Sequence, residues 1–495
     1  MQRLTFLTDV STTNGANVVR SGTKRYTQMP QPPELEREFR GLWVATVANI
    51  DFPSNSGISR YSMQNELRRI VSRTREINCN ALVFQVRPAC DALYESKLEP
   101  WSEYLTGTQG KSPGFDPLHF LALECRKAGI ELHAWFNPFR ARAADPKSVV
   151  DPLHVTRSKT EMVRDYGKLK WLDPGDPRVR QHTLDVITDV VTRYDIDGVH
   201  LDDYFYPYPE SDAKTKNDIP FPDNTTFSTY QRSGGTLRRD DWRRSNVDIF
   251  VEALYRRVHA IKPQCMVGIS PFGIYRPGQP PQIKGLDAFA QIYTDSQKWL
   301  REGWVDYLAP QLYWPIDRRA QSFPVLLQWW LAQNSQGRHV WPGLYTGKVS
   351  PQEIEFQIKI TRGTQGATGH IHFSMQALLS GKATSGHSRA AHLLKQIYTQ
   401  PAIIPETTWL AHTESPLISI DQWDISENYL KWGRLPEDAR TISLQYLVNE
   451  KWKTIIIGPS NGKLKLPEGL TEVWLTLVCS AGRQSNTIHI PVVSS

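Results

Sequence analysis

Two adjacent carboxylates, Asp202 and Asp203, stand where an apolar run breaks into acid and aromatic residues, Tyr194-Asp-Ile-Asp-Gly-Val-His-Leu-Asp-Asp-Tyr-Phe-Tyr-Pro207. Val199 and Leu201 alternate with His200, Asp202 and Tyr204, the period of a strand with one apolar and one polar face. Glycosidic cleavage commonly uses paired carboxyls: one gives a proton, the other attacks or stabilises the developing cation. A neighbouring negative charge raises one pKa and helps keep an acid protonated. The plainer reading is that one of the two caps a loop or pairs with Arg87 or Arg140, and it weighs more on Asp203, whose nominal direction is outward. Asp197, at the start of the run, reads as structural.

Other polar residues recur on what would be the same side of neighbouring strands: Gln85 and Arg87; His133, Trp135 and Asn137; Ser270; Gln311 and Tyr313; His370 and His372. An inert barrel core would be branched and aliphatic there, so the recurrence points to a polar binding site at a barrel mouth. Arg87, Asn137, Gln311 and Tyr313 are candidates to position a substrate. Asp91, His133, Arg140, His200, Tyr204 and Trp314 complete the candidate binding set. Tyr204, Tyr206, Tyr208, Tyr275, Tyr313 and Trp314 suit stacking on sugar rings, although each taken singly is more often packing. His133, His200, His370 and His372 with Asp202 raise a zinc option of three ligands plus water. No His-x-His pair has a carboxylate partner nearby, so no metal or other cofactor is expected, and a metal-dependent deacetylase or amidase is the weaker alternative.

The elements that must hold these groups alternate. Strands are expected at 40–47, 81–87, 131–137, 194–207, 266–270, 305–314, 339–344 and 369–374. Helices are expected at 61–77, from Asp116 as a cap to about Lys127, from Asp176 to about Tyr194, and at 241–261, 289–302, 321–333, 351–362 and 387–398. Eight strands separated by helices argue for a closed (β/α)8 TIM barrel, an α/β fold, and long inserts follow strands 2, 3 and 4 where such barrels build their sites. Neither nucleotide-binding glycine signature, GxGxxG or GxxxxGK[ST], follows a strand. After Pro401 the texture changes to short β-rich runs, at 441–448, 452–457, 472–480 and 486–492. The expected organisation is a flexible polar leader over 1–36, the barrel over 37–400, a linker over 401–415 and a small β-sandwich, fibronectin III-like, over 416–495.

The net charge of +7, from 58 basic and 51 acidic residues, is mild and scattered, which argues against nucleic acid and allows an anionic polymer. The five cysteines lack ligand or disulfide-framework spacing. No apolar run has signal-peptide or membrane-spanning length, so a protein in solution is expected.

The segments Glu38-Phe-Arg-Gly-Leu-Trp-Val-Ala-Thr-Val47 with Ile50-Asp-Phe-Pro53, Phe84-Gln-Val-Arg-Pro88, His133-Ala-Trp-Phe-Asn-Pro138, Asp197-Gly-Val-His-Leu-Asp-Asp-Tyr-Phe-Tyr-Pro207, Ser270-Pro-Phe-Gly-Ile274 and Pro310-Gln-Leu-Tyr-Trp314 resemble glycosyl hydrolase-like family 10 over about residues 38–400. That resemblance implies an α/β-barrel glycosidase. Some members are bacterial envelope proteins that cut peptidoglycan strands stripped of their peptides, which suggests the envelope, while this N-terminus leaves the cytoplasm open. The chain is more loosely similar to family 18 chitinases, whose strand 4 reads Asp-Gly-x-Asp-x-Asp-x-Glu. Asp197 and Asp202 match the first and third acids, His200 replaces the second, and Tyr204 replaces the proton-donating glutamate. Tyr313 matches a tyrosine that helps hold the N-acetyl group. The likeness implies that Asp202 orients or stabilises an acetamido group. With the glutamate absent, Asp203 is the candidate acid, and Asp91 and Glu95 are reserves. The expectation is a hydrolase of β-linked N-acetylated glycans; the alternative is a carbohydrate-binding barrel without turnover.

Overall fold

The computed structural model describes residues 18–21, 24–27, 31–142, 148–212, 214, 217–379, 386–410, 415–470 and 472–492. Eight parallel strands form its centre: β1 (Phe39–Val44), β2 (Ala81–Arg87), β3 (Glu131–Phe136), β4 (Gly198–Leu201), β5 (Met266–Ile269), β6 (Tyr307–Leu308), β7 (His339–Val340 and Gly343–Leu344) and β8 (Gly369–His372). They pair in chain order, and β8 pairs back onto β1. Strand β7 is split at Trp341-Pro342. Its first half bonds to β6 and its second to β8, so the two edges of the sheet are halves of one strand and the ring closes. Pro342 lacks an N–H, but its carbonyl still accepts from Ile371 N, so the ladder bends there and continues.

The period-2 pattern explains the two faces. Leu42, Val44, Leu82, Phe84, Leu132, Ala134, Val199, Leu201, Val267 and Ile269 point outward into one large core with the surrounding helices. Phe39, Trp43, Val83, Trp135, Tyr307, Trp341 and Ile371 fill the barrel interior. Helices start and stop as their punctuation dictates: Asp116 and Asp176 cap Pro117–Ala128 and Pro177–Arg193, and Gly129 closes the first in the left-handed conformation. The helix expected at 289–302 is instead two, Ala288–Gln291 and Ser296–Glu302, because Tyr293 takes a positive φ and Asp295 starts a new cap. The insert after β3 contains a three-stranded antiparallel sheet of Arg140–Arg142, Leu169–Leu172 and Val163–Tyr166, where only a loop was expected.

One histidine pair departs from expectation. His370 and His372 face outward, where the Tyr398 hydroxyl bonds to both and Thr346 Oγ1 lies 2.7 Å from His372 Nδ1. Ile371 takes the inward line. Gly-His-Ile-His-Phe-Ser alternates correctly, but alternation does not say which phase faces in. The zinc option loses these ligands, and among the described residues no three His, Cys, Asp or Glu side chains group to hold an ion.

Beyond the barrel, a three-stranded sheet (423–426, 429–432, 463–465) and a four-stranded sheet (439–448, 451–457, 472–479, 484–491) share one apolar core that includes Trp423, Leu430, Leu444 and Leu475. The 423–432 hairpin carries no glycine turn signal: its turn is Glu427-Asn428, both with positive φ. The 401–415 segment is packed in its first part: Ala402, Ile403 and Ile404 are buried, Trp409 Nε1 donates to Asp306 at 2.7 Å, and 411–414 lie outside the described residues. Of the 1–36 leader, Val18–Ser21 and Lys24–Thr27 pair as antiparallel strands, 31–36 are packed (Pro33 O accepts from Gln445, and Glu36 pairs with Arg40), and the remainder lies outside the described residues. Among the described residues no helix is long and apolar enough to cross a membrane.

Candidate active site

Chemistry-bearing groups gather where β2 to β8 end. After Leu201 the chain turns, and Asp202 and Asp203 are both buried at the barrel mouth. Asp202 Oδ2 accepts from Asn137 Nδ2 at 2.8 Å and Trp135 Nε1 at 3.1 Å, and Oδ1 from Tyr204 N at 3.4 Å. Asp203 is held on one side only. The Tyr208 hydroxyl donates to its Oδ2, while buried Oδ1 has no hydrogen-bond partner among the described residues. The Gln311 amide lies close by but donates to Ser270 O at 3.0 Å.

Burial pushes the Asp202 carboxyl up to about 7; the Arg140 charge opposes this and the Asp203 charge adds to it. Burial raises Asp203 as well, against the Tyr208 hydrogen bond. The pair therefore holds a proton near neutrality more readily than free aspartates would. Around it stand half-buried rings. Tyr204, Tyr208, Phe272 and Trp314 follow one another at centroid distances of 5.5, 6.2 and 5.7 Å. Tyr313, Tyr345 and Phe373 form a second group at 5.1 to 5.8 Å. Rings of this kind flanking paired carboxyls suit flat, weakly polar sugar faces.

Beneath the carboxylates a directional chain descends the interior. Indole N–H only donates, so Trp43 Nε1, 3.2 Å from His200 Nε2, makes that nitrogen an acceptor. His200 Nδ1–H then donates to the Tyr307 hydroxyl (2.9 Å), which donates to His133 Nδ1 (2.9 Å), whose Nε2–H donates to Glu131 (3.2 Å). Burial drives His200 far below its ordinary pKa, consistent with a neutral ring. The column needs space: a Cβ on Gly198 would lie 2.6 Å from the His133 ring, and one on Gly268 would lie 1.9 Å from Tyr307.

The expected site residues thus divide. Asp202, Asp203, Asn137, Arg140, Tyr204, Gln311, Tyr313 and Trp314 meet at the mouth. His200 lies one layer below and His133 a further layer down. Arg87 does not reach a ligand: it is fully buried, forked onto Glu99 at 2.5 and 2.7 Å, with its remaining donor on the Asn137 and Pro138 carbonyls. Its strand position pointed inward, but the bulge between Gln85 and Arg87 redirects it. Asp91 is buried in the β2 insert, accepting from Ala89 N at 3.2 Å, with its pKa raised to about 7 by burial. Glu95 is exposed, and its backbone meets Asp116 and Arg193 beside the outer helices. Tyr208 was legible only as one aromatic among several; nothing in its spacing marks it as the Asp203 partner.

Fold and site together define an α/β-barrel protein with a carboxylate pair at its mouth. The chain belongs to the glycosyl hydrolase-like 10 family, whose model matches residues 38–360, and the family implies a glycoside hydrolase-type role on a carbohydrate. Glycosyl hydrolase YngK of Bacillus subtilis (strain 168) is 34% identical over 432 residues, covering 83% of this chain and 82% of that protein. Glycosyl hydrolase DigH of Escherichia coli (strain K12) is 34% identical over 324 residues, 61% of this chain and 72% of DigH. Among solved structures, the PgaB (BpsB) glycoside hydrolase domain from Bordetella bronchiseptica aligns with a TM-score of 0.49 at 13% identity, over 73% of this chain and 99% of that domain.

Proposed function

We propose that this protein hydrolyses β-linked N-acetylated glycans, with peptide-free peptidoglycan strands as the substrate. The observation that carries the reading is the unequal holding of two adjacent buried carboxylates, Asp202 with donors on both oxygens and Asp203 with one oxygen open. Asp203 Oδ1 is free to carry the proton that a leaving sugar oxygen needs, so Asp203 acts as general acid and then as base toward water. Asp202, fixed by Trp135, Asn137 and the Tyr204 amide, stabilises positive charge at the anomeric centre or on an acetamido group. Tyr313 borders the acetamido side, and the half-buried rings take the sugar faces. A carbohydrate-binding barrel without turnover is the second reading, favoured by Tyr204, which packs under Arg140 where a chitinase would present its acid.

The test is digestion of peptide-free glycan strands and of chitin oligomers, read by mass spectrometry, with wild type beside Asp202→Asn and Asp203→Asn. Cleavage by wild type that both folded variants lose is expected, and the product ends name the bond. Binding without cleavage by wild type moves the assignment to the binding protein. Cleavage surviving both substitutions removes the chemistry from this pair.

A further inference from the structure

The rim of the site carries an arginine, Arg140, whose charge has no carboxylate partner among the described residues. Arg87, Arg164 and Arg243 each pair with a carboxylate, Glu99, Asp173 and Asp223 respectively. Arg140 instead is fixed from three elements: Nε donates to Pro88 O at 3.0 Å beyond β2, its backbone N donates to Asn137 Oδ1 at 3.2 Å beyond β3, and its guanidinium lies 5.2 Å from the centre of the Tyr204 ring beyond β4. Among the described residues only its backbone N and Nε donate, and the two terminal nitrogens have no hydrogen-bond partner. Asn137, which accepts from the Arg140 backbone, donates to Asp202 at 2.8 Å, and Tyr204, on which the guanidinium lies, directly follows Asp203, so the group stands beside the carboxylate pair and its charge opposes the rise of both carboxyls.

We infer that Arg140 reads a carboxylate on the substrate: the lactic acid that peptidoglycan carries as an ether on every second N-acetylated sugar. Resting on the glycan-hydrolase reading above, this deepens it to a substrate class. A planar guanidinium held on an aromatic face presents parallel N–H donors to one acid group, a geometry that ammonium and neutral donors do not reproduce. In peptide-bearing strands the lactyl group is an amide, uncharged and followed by bulk. Only after the peptide is removed does it become an anion that Arg140 can fork. The net charge of +7 acts in the same direction by favouring approach of a polyanionic strand.

The test compares peptide-free strands with the same strands methyl-esterified at the lactyl groups, using wild type, Arg140→Gln and Arg140→Lys, read as kcat and KM for cleavage and as binding by calorimetry. Wild type is expected to prefer the acid about tenfold or more, chiefly in KM, as fits a charge-assisted hydrogen-bonded pair. Arg140→Gln is expected to treat acid and ester alike, and Arg140→Lys to recover part of the preference. Equal use of acid and ester by wild type, or a preference that persists in Arg140→Gln, overturns the inference. If wild type cleaves neither form, calorimetry decides: acid-selective binding that Arg140→Gln abolishes upholds Arg140 while ending the hydrolase reading, and binding of neither form ends both.

Discussion

At the base of the barrel, acids precede the strands: Glu38 before β1, Asp197 before β4, Asp306 before β6. At the mouth, Asp202 and Asp203 follow β4. Burial is similar at both ends, but the partners differ. Glu38 is forked by Arg362 at 2.7 and 2.9 Å and met by Arg40 at 2.6 Å. Asp306 accepts from Val267 N at 2.7 Å, Trp409 Nε1 at 2.7 Å and His259 Nε2 at 3.0 Å. Asp197 takes Leu132 N at 2.9 Å and the Arg440 guanidinium at 2.8 Å, tying the C-terminal sheets to the barrel. These acids are saturated, so they fasten strands and have no capacity left for a ligand. The mouth acids form no ion pair among the described residues, and Asp203 leaves an oxygen open, which costs stability and keeps the chemistry available.

The largest effect that would break this contrast is catalytic. Asp203→Asn should lower kcat/KM on peptide-free strands by about 10³-fold, within the range for loss of a general acid. A decrease of under tenfold in a folded variant would mean the open oxygen is not the proton donor. The base is tested by stability. Burial would raise the Glu38 pKa, but the Arg362 hydrogen bond with the neighbouring cations holds it at about 2, below its ordinary 4.5. Glu38→Gln should therefore cost about 3 kcal/mol at pH 7, as expected for breaking a buried ion pair. The depressed pKa makes that contribution complete above about pH 4.5 and lost as pH falls toward 2. Urea unfolding at pH 7 and pH 3 reads it, and an equal cost at both would contradict the ion-pair account.

Much of this contrast could be read from residue order. Eight apolar runs, their helices and the Asp116 and Asp176 caps follow from local periodicity and capping chemistry. So did the convergence of Asp202, Asn137, Gln311 and Tyr313, since strand ends in a closed barrel share one rim. What was hidden depended on phase and on partners remote in sequence. His370 and His372 have the alternation of an inward pair, yet Tyr398 collects them from a helix outside. Arg87 points at the mouth by register until a bulge and Glu99 take it away. Tyr208 reaches Asp203 through a loop turn that no period describes.

Tyr208→Phe sharpens the assignment within the mouth. Removing the hydroxyl takes away the hydrogen bond that favours charged Asp203, so the basic limb of the kcat/KM profile should move upward in pH. The rate at neutral pH should fall about tenfold, the worth of one hydrogen bond to a charged group. A rate loss with an unmoved profile would leave Tyr208 as packing.

The smallest effect runs opposite to that at Glu38. Asp202 is held near 7 in the folded protein, against 3.8 for a free aspartate. The folded state thus keeps a proton that the unfolded state gives up, and stability from this group falls as pH rises from about 4 to about 7. Asparagine removes the charge but weakens what Trp135 and Asn137 donate to, so the two changes partly cancel. Asp202→Asn should unfold at about 1 kcal/mol higher stability than wild type at pH 8, with the advantage disappearing by pH 4. Thermal unfolding across that range measures it. A variant less stable than wild type at pH 8 would show that the Trp135 and Asn137 donors outweigh the buried charge, making Asp202 a saturated acid like those at the base.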